Sequence, residues 1–402
     1  MGAAAFCFRD GIGRMRRILS ILGLVTAALV SIGIVVLASA GGARGLTLHN
    51  DPNYFVKRQA VWLFVALVAM FVAIVFDYHN WRDRKWLTIT MFVAVLVMLG
   101  VVFAFPKING SYRWLDFKRF GVPMRLQPSE LAKLATVLCV SVWLERAGFR
   151  VTRFIRGAVV PCMIFGAVAV LLVLEPDYGS TMVVLAVGFT LMLLAGTKLW
   201  HLALLGVSGF GMVITLVWLD PNRRARLMAW LHGNEGGGDS EATRNAYYQL
   251  QQAIVAICNG GVTGVGYNQS MQKQYYLPEA HTDFIFAIGA EELGLFFSIA
   301  VLLLFLAVFV CGMYVSMHAS DRLGGLLAFG MTFLVSVQAI VNIGVVTGCL
   351  PTKGLALPLI SYGGTNLISA LTAIGIIMNV AVVTMRDERR RSPRVVPVKP
   401  QE

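Results

Sequence analysis

Charge is scarce along this chain. Asp, Glu, Lys and Arg make up 14% of its 402 residues and hydrophobic residues 57%, where an ordinary soluble domain carries about 25% charge. With a mean hydropathy of +0.72, this excludes one large globular core and predicts an all-α polytopic membrane protein. Cysteine is sparse too. Cys7, Cys139, Cys162, Cys258, Cys311 and Cys349 show no CxxC spacing and fall mostly in apolar runs, where a thiol acts as a small hydrophobe. Neither a disulfide framework nor a zinc site is predicted. A repeat of fixed period is missing, which withdraws support from a transporter built of inverted halves. A cleavable leader is not expected either. Arg14, Arg16 and Arg17 precede an apolar run over 18–40 that is too long for a signal peptide and reads as a first transmembrane helix.

What the chain has in quantity is apolar runs of spanning length, at 18–40, 59–77, 87–105, 127–145, 157–174, 179–196, 200–219, 283–315, 324–347 and 366–385. They predict about ten transmembrane helices. An even number puts both termini on one side, and the basic ends, Arg14 to Arg17 and Arg386 to Arg391, place that side in the cytoplasm. The expected organisation is a cytoplasmic tail over 1–17, a transmembrane domain over 18–385 with a long outer loop at 220–282, and a disordered basic tail over 386–402. The formal charge of +13 follows from this topology, so nucleic acid is not an expected partner.

Two predicted outer loops break the charge rule. Residues 107–125 carry Lys107, Arg113, Lys118, Arg119 and Arg125, and the long loop opens with Arg223, Arg224 and Arg226. Cations that oppose the topological bias need another reason, and an anionic partner such as phosphate supplies one, with lipid headgroups the alternative. Within the long loop, residues 232–243 are Gly-rich and read as a mobile tip. Residues 246–262 place Tyr248, Gln252, Val255 and Asn259 at helical spacing, predicting a partly buried helix that returns to the membrane.

Ionisable groups at a bilayer surface are costly and tend to be functional. Residues 275–283 gather Glu279, His281 and Asp283 beside Pro278. Asp283 opens the next long helix, where a lone Asp would read as a cap; Glu291 and Glu292 lie about 12 Å deeper. In 127–133, Pro128 suits a first helical turn, and Gln127, Glu130 and Lys133 share one face. Such a pair faces the protein interior or a wet cavity. Were Lys133 to approach Asp283, the carboxylate would stay ionised and oriented, as a general base requires. Residues 350–366, with Pro351, Pro358, Gly363 and Gly364, predict a re-entrant turn that supplies Lys353 and Ser361. Gln338 and Asn342 read as interhelical glue, and Asp177 as structural.

Taken together, the motifs NGSYRWLDF (109–117), QPSELAK (127–133), EPDYGS (175–180), YQLQQA (248–253), YLPEAHTDFIFA (276–287), EELG (291–294) and PTKGLALPLISYGGTN (351–366) resemble the SEDS family (shape, elongation, division and sporulation). The resemblance covers roughly residues 15–385, and PTKG before the ISYGG segment is similar to the FtsW branch rather than RodA. It implies a peptidoglycan glycosyltransferase that polymerises lipid II outside the cytoplasmic membrane at the division septum, with a class B penicillin-binding protein as transpeptidase partner and other divisome proteins nearby. By that resemblance Asp283 is the general base, Lys133 and Glu130 the polar pair facing it, and Arg113, Arg223 and Lys353 the contacts to pyrophosphate or substrate. Gln252, Glu279, His281 and Ser361 complete the expected substrate site. No cofactor is required; a divalent cation could assist the leaving pyrophosphate, though no dedicated metal cage is visible. Tyr275 stands where some division members carry a glutamate, so a role for that acid does not transfer. Two other readings stand beside it: a flippase for a lipid-linked precursor, which would use the same cations but needs no base at Asp283, and a noncatalytic division scaffold.

Overall fold

A computed structural model describes residues 2–106, 111–116, 125–219, 224, 227–228, 230–231, 241–274 and 276–391. Each predicted apolar run is met by a helix: α1 (Gly2–His49), α2 (Tyr54–Val75), α4 (Lys85–Val101), α5 (Pro128–Ala147), α6 (Val160–Leu174), α7 (Tyr178–Leu194), α8 (Leu199–Leu219), α10 (Ile285–Met317), α11 (Arg322–Val346) and α12 (Gly364–Arg391). A short α3 (His79–Asp83) and a loop helix α9 (Glu241–Gly260) complete the α-helices of the described residues. Strands β1 (Leu115–Asp116) and β2 (Arg125–Leu126) pair antiparallel. Among the described residues, 7 helices are long and apolar enough to cross a membrane, with Tyr178–Leu194 and Leu199–Gly209 as shorter apolar stretches.

The periodicity of α2 shows how the sequence sorts its faces. Phe55, Gln59, Trp62 and Ala66 turn inward, while Phe64, Val68, Phe71, Val72 and Val75 are exposed on the opposite side, as a lipid-facing stripe would be. α5 behaves differently. It starts on Pro128, whose missing N–H costs nothing in a first turn, and it buries Glu130 and Lys133 with its apolar residues. α11 and α12 are mostly buried and form the centre of the bundle. The ends of the first and last helices meet: a Cβ on Gly11 would lie 3.8 Å from Glu388 Oε2.

Several expectations are adjusted. α1 does not stop near residue 40 but continues to His49, because Gly41 packs on Phe55 and Arg44 finds a carboxylate partner. Helix runs through the described part of 2–17 and onward to Arg391, with residues 392–402 outside the described set. α10 starts at Ile285, so Asp283 sits in the turn before it, its N–H donated to Glu279 O at 3.2 Å. In the Gly-rich stretch, residues 232–240 lie outside the described residues and Glu241 already belongs to α9.

The buried face of α9 is Leu250, Ala253, Ala256 and Gly260, whereas Tyr248, Val255 and Asn259 are exposed. Small residues win that face because α9 lies directly on α10. A Cβ on Gly260 would stand 2.1 Å from Ala290 O, which only glycine avoids.

Candidate active site

Beyond α9 the chain folds back across α10 before entering it, and this return segment supplies one wall of a cavity of about 200 Å³. Its other walls are the stretch before β1 (Ser111, Arg113, Trp114), the starts of α5 and α7 (Gln127, Glu130, Ser180), and the 354–366 segment. Arg113, Glu130, Glu279 and Asp283, four residues singled out from sequence, all line it.

Asp283 is half-buried in the return segment and held there through its backbone. Its carbonyl accepts from Asn342 Nδ2 at 2.8 Å, and the same amide reaches Leu355 O at 2.6 Å. Asn342, expected as interhelical glue, thus ties α11 to both cavity walls. Ser361 Oγ donates to Thr282 O at 2.6 Å and accepts from Leu357 N at 2.8 Å, so Ser361 latches the wall. The 351–366 segment comes so close that a Cβ on Gly354 would lie 2.9 Å from Asp283 Oδ2.

Lys133 is fully buried and donates to Glu130 Oε1 at 2.8 Å. The other oxygen, Glu130 Oε2, is buried without a hydrogen-bond partner. Lys133 also acts electrostatically on Asp177, the residue capping α7. Burial would raise the Asp177 pKa, but the charges of Arg113 and Lys133 and the Ser180 hydrogen bonds hold it below the usual carboxylate range. Asp177 accepts from Ser180 N at 3.2 Å and Ser180 Oγ at 2.9 Å. Gln127 Nε2 approaches it at 3.4 Å. Beside it, Glu175 is pushed up to about 8, first by burial and then by Asp177, with both carboxyl oxygens unpartnered. Arg113 donates to Pro176 O from the cavity wall.

The remaining expected site residues fall elsewhere. His281 packs its ring 4.6 Å from Phe55 and 5.8 Å from Tyr362. Burial lowers its pKa to about 4 against the pull of Glu279, so it is a neutral packing group. Lys353 lies just outside the cavity lining beside Met182 Sδ, its pKa lowered to about 8 by burial. Gln252 is half-buried on α9, away from the cavity lining. Arg223 and Tyr275 lie outside the described residues, as do Lys107, Lys118 and Arg119. Arg44, which no local motif marks, pairs with Glu279 at 3.3 Å from the far end of α1. Among the described residues, no group of three or more His, Cys, Asp or Glu side chains could hold a metal ion. A second cavity of about 260 Å³, among α1, α2 and α12, is lined by apolar side chains with Thr26 and Ser31 and carries no ionisable group.

The arrangement offers a carboxylate in a confined cavity, a guanidinium on another of its walls, and a buried ammonium–carboxylate pair with one oxygen unspent. A family model described as "Cell cycle protein", for FtsW, RodA and SpoVE, matches residues 20–386. A probable peptidoglycan glycosyltransferase FtsW of Geobacter metallireducens is 35% identical over 378 residues, 93% of this chain and 97% of the relative. A probable peptidoglycan glycosyltransferase FtsW of Nitrosococcus halophilus is 38% identical over 362 residues, 89% of this chain and 90% of that one. Among solved structures, a chain from a peptidoglycan synthase complex that coordinates polymerization and crosslinking superposes with a TM-score of 0.70. It shares 27% identity and covers 90% of this chain and 97% of its own.

Proposed function

The chain belongs to the FtsW/RodA/SpoVE family of cell cycle proteins, and from that premise we propose that it is a peptidoglycan glycosyltransferase acting in cell division. It is an integral membrane protein of the bacterial inner membrane. Its substrate is lipid II, polymerised at the outer face, with both termini in the cytoplasm and the septum as its place of work. The basic ends at Arg14 to Arg17 and Arg386 to Arg391 support that orientation. The transmembrane domain over 18–385 carries the activity, with residues 1–17 and 386–402 as its cytoplasmic ends. A class B penicillin-binding protein crosslinks the product, alongside other divisome proteins.

In this reading the Asp283 carboxylate removes the proton from the 4-hydroxyl of the acceptor sugar. The freed oxygen attacks the anomeric carbon of the donor, the bond to undecaprenyl pyrophosphate breaks, and the configuration inverts. No covalent enzyme intermediate is needed, because the donor carries its own leaving group. Arg113 receives the developing phosphate charge from across the cavity, with Arg223 and Lys353 as further cations for the approach of the anionic lipid. Lys133 holds Glu130 in place through their 2.8 Å ion pair. A divalent ion brought with the pyrophosphate would supply charge neutralisation; the steps above use the protein's own groups.

The observation that carries the proposal is that Asp283, Arg113 and Glu130, far apart in sequence, line one cavity. The test is lipid II polymerisation by the purified protein with its transpeptidase partner. Asp283→Asn is expected to lower turnover at least 10³-fold with substrate binding retained. Full polymerisation by that variant would overturn Asp283 as the general base.

A further inference from the structure

The turn carrying Asp283 leads straight into a short helical stretch, residues 285–293, buried from Ile285 to Glu292, which ends at a break in α10. At Gly294 the backbone leaves helical geometry (φ 72°, ψ −159°). The return segment straps this break: Val265 N donates to Glu291 O and Gly266 N to Glu292 O, each at 3.0 Å, and Leu295 N reaches Gly261 O at 3.0 Å. Asp283 is therefore at one end of a rod about 13 Å long whose other end is a joint.

At that joint sits a closed polar cluster. Lys273 Nζ donates to Glu292 Oε1 at 2.9 Å, Ser39 Oγ at 2.7 Å and Asn268 Oδ1 at 2.5 Å. An ammonium has three N–H bonds, and here each has its acceptor. Ser39 Oγ in turn donates to Glu292 Oε1 at 2.5 Å. Ser270 Oγ donates to Glu291, and Ser270 N approaches Glu292 Oε1 at 3.4 Å. Three chain elements meet through one lysine: α1, the return segment and the base of the rod.

We propose that Lys273 is a positioning residue for Asp283: by closing the cluster at the joint it fixes the tilt of the 285–293 rod and so the place of the carboxylate at its tip. The inference rests on the glycosyltransferase reading above. A tilt of about 10° at the joint moves a tip 13 Å away by roughly 2 Å, and a displacement of about 1 Å can cost about 10²-fold in rate. The buried charge does not by itself supply stability; what three satisfied donors supply is a single geometry.

The experiment uses the full chain with its transpeptidase partner. Lys273→Met alone strands Glu292 as an unpaired buried charge, so the decisive variant is Lys273→Met with Glu292→Gln, which removes both charges at nearly constant volume. It is expected to extract as a folded, monodisperse complex, to keep the KM for lipid II within twofold, and to lose at least tenfold in kcat. Hydrogen exchange of the amides of residues 285–293 should speed up in the same sample. A wild-type kcat in the double variant, or unchanged exchange across the rod, overturns the proposal. Should the double variant fail to fold, Ser39→Ala, which removes one of the three acceptors, reads the same two quantities and decides in the same way. Wild type and Asp283→Asn are assayed alongside. An active Asp283→Asn overturns Asp283 as the general base and this inference with it, whereas an inactive Asp283→Asn beside a fully active double variant overturns the inference alone.

Discussion

Among the described residues, two buried lysine–glutamate pairs lie in this bundle, and they differ in one respect. Lys133 and Glu130 have side chains 0% and 5% exposed and a contact of 2.8 Å; Lys273 and Glu292 are 6% and 2% exposed at 2.9 Å. Burial and distance are the same within any meaningful margin. Completeness is not. The Lys273 ammonium has three acceptors, while Glu130 faces the cavity with one oxygen still unpartnered. A buried polar network that is satisfied holds the chain in one arrangement, and one left short retains interactions for a ligand. The difference teaches that burial of a charge pair marks a special place, but its unspent valence tells which kind.

The sharpest way to break this comparison is to neutralise the cavity pair. Lys133→Met with Glu130→Gln leaves no stranded charge, so the thermal midpoint should change little, yet lipid II polymerisation should fall about 10²-fold. If that double variant polymerises at the wild-type rate, the cavity pair is only another clamp and the contrast disappears. A smaller effect is expected from Gly354→Ala. Its methyl would press on Asp283 Oδ2, a movable side-chain end, so kcat should drop about tenfold in steady-state assays with stability unaltered.

Smaller still is Arg44→Gln. Its bond to Glu279 joins groups 38% and 40% exposed, and an exposed pair is worth roughly 0.2–1 kcal/mol. A rate within about twofold of wild type would confirm that the clamp on α1 depends on its buried contact at Ser39.

The last prediction concerns stability rather than rate. The His281 pKa falls from 6.5 to about 4 on folding, so the unfolded chain binds more protons between those values. Stability is full above about pH 6.5 and falls as the pH drops toward 4, by up to about 3 kcal/mol. His281→Phe should remove that acid loss in melts taken between pH 4 and 7, while the polymerisation profile near neutrality keeps its shape.

Which parts of this were legible in the sequence follows from how far each signal reaches. The membrane helices were, because lipid demands an unbroken apolar run for every crossing. That Glu130 and Asp283 mark the wall of one cavity was too, because each stands in a short motif at the edge of such a run. The clamp on α1 was not. Ser39 and Lys273 are separated by 234 residues, and Ser39 reads as an ordinary small residue near a helix end. The buried face of α9 was misjudged for a related reason. Tyr248 and Val255 look like core by hydropathy, but close approach to α10 selects Ala253, Ala256 and Gly260, whose merit is being small. His281 and Ser361 stand among site residues in sequence yet turn to packing and latching, since adjacent residues in a turn point in different directions. Gln252 was marked by its motif, and its place on α9 away from the cavity lining depends on tertiary packing that no local pattern records.

The length of α1 has a further consequence. From Gly11 to His49 it runs 39 residues, roughly 58 Å, against a hydrocarbon core of about 30 Å, and it contains no proline. Near its far end it carries Ser39 and Arg44, both bonded to the segment that presents Asp283. One uninterrupted element, nearly twice as long as the hydrocarbon core is thick, therefore joins the basic residues near its start to the segment that presents Asp283.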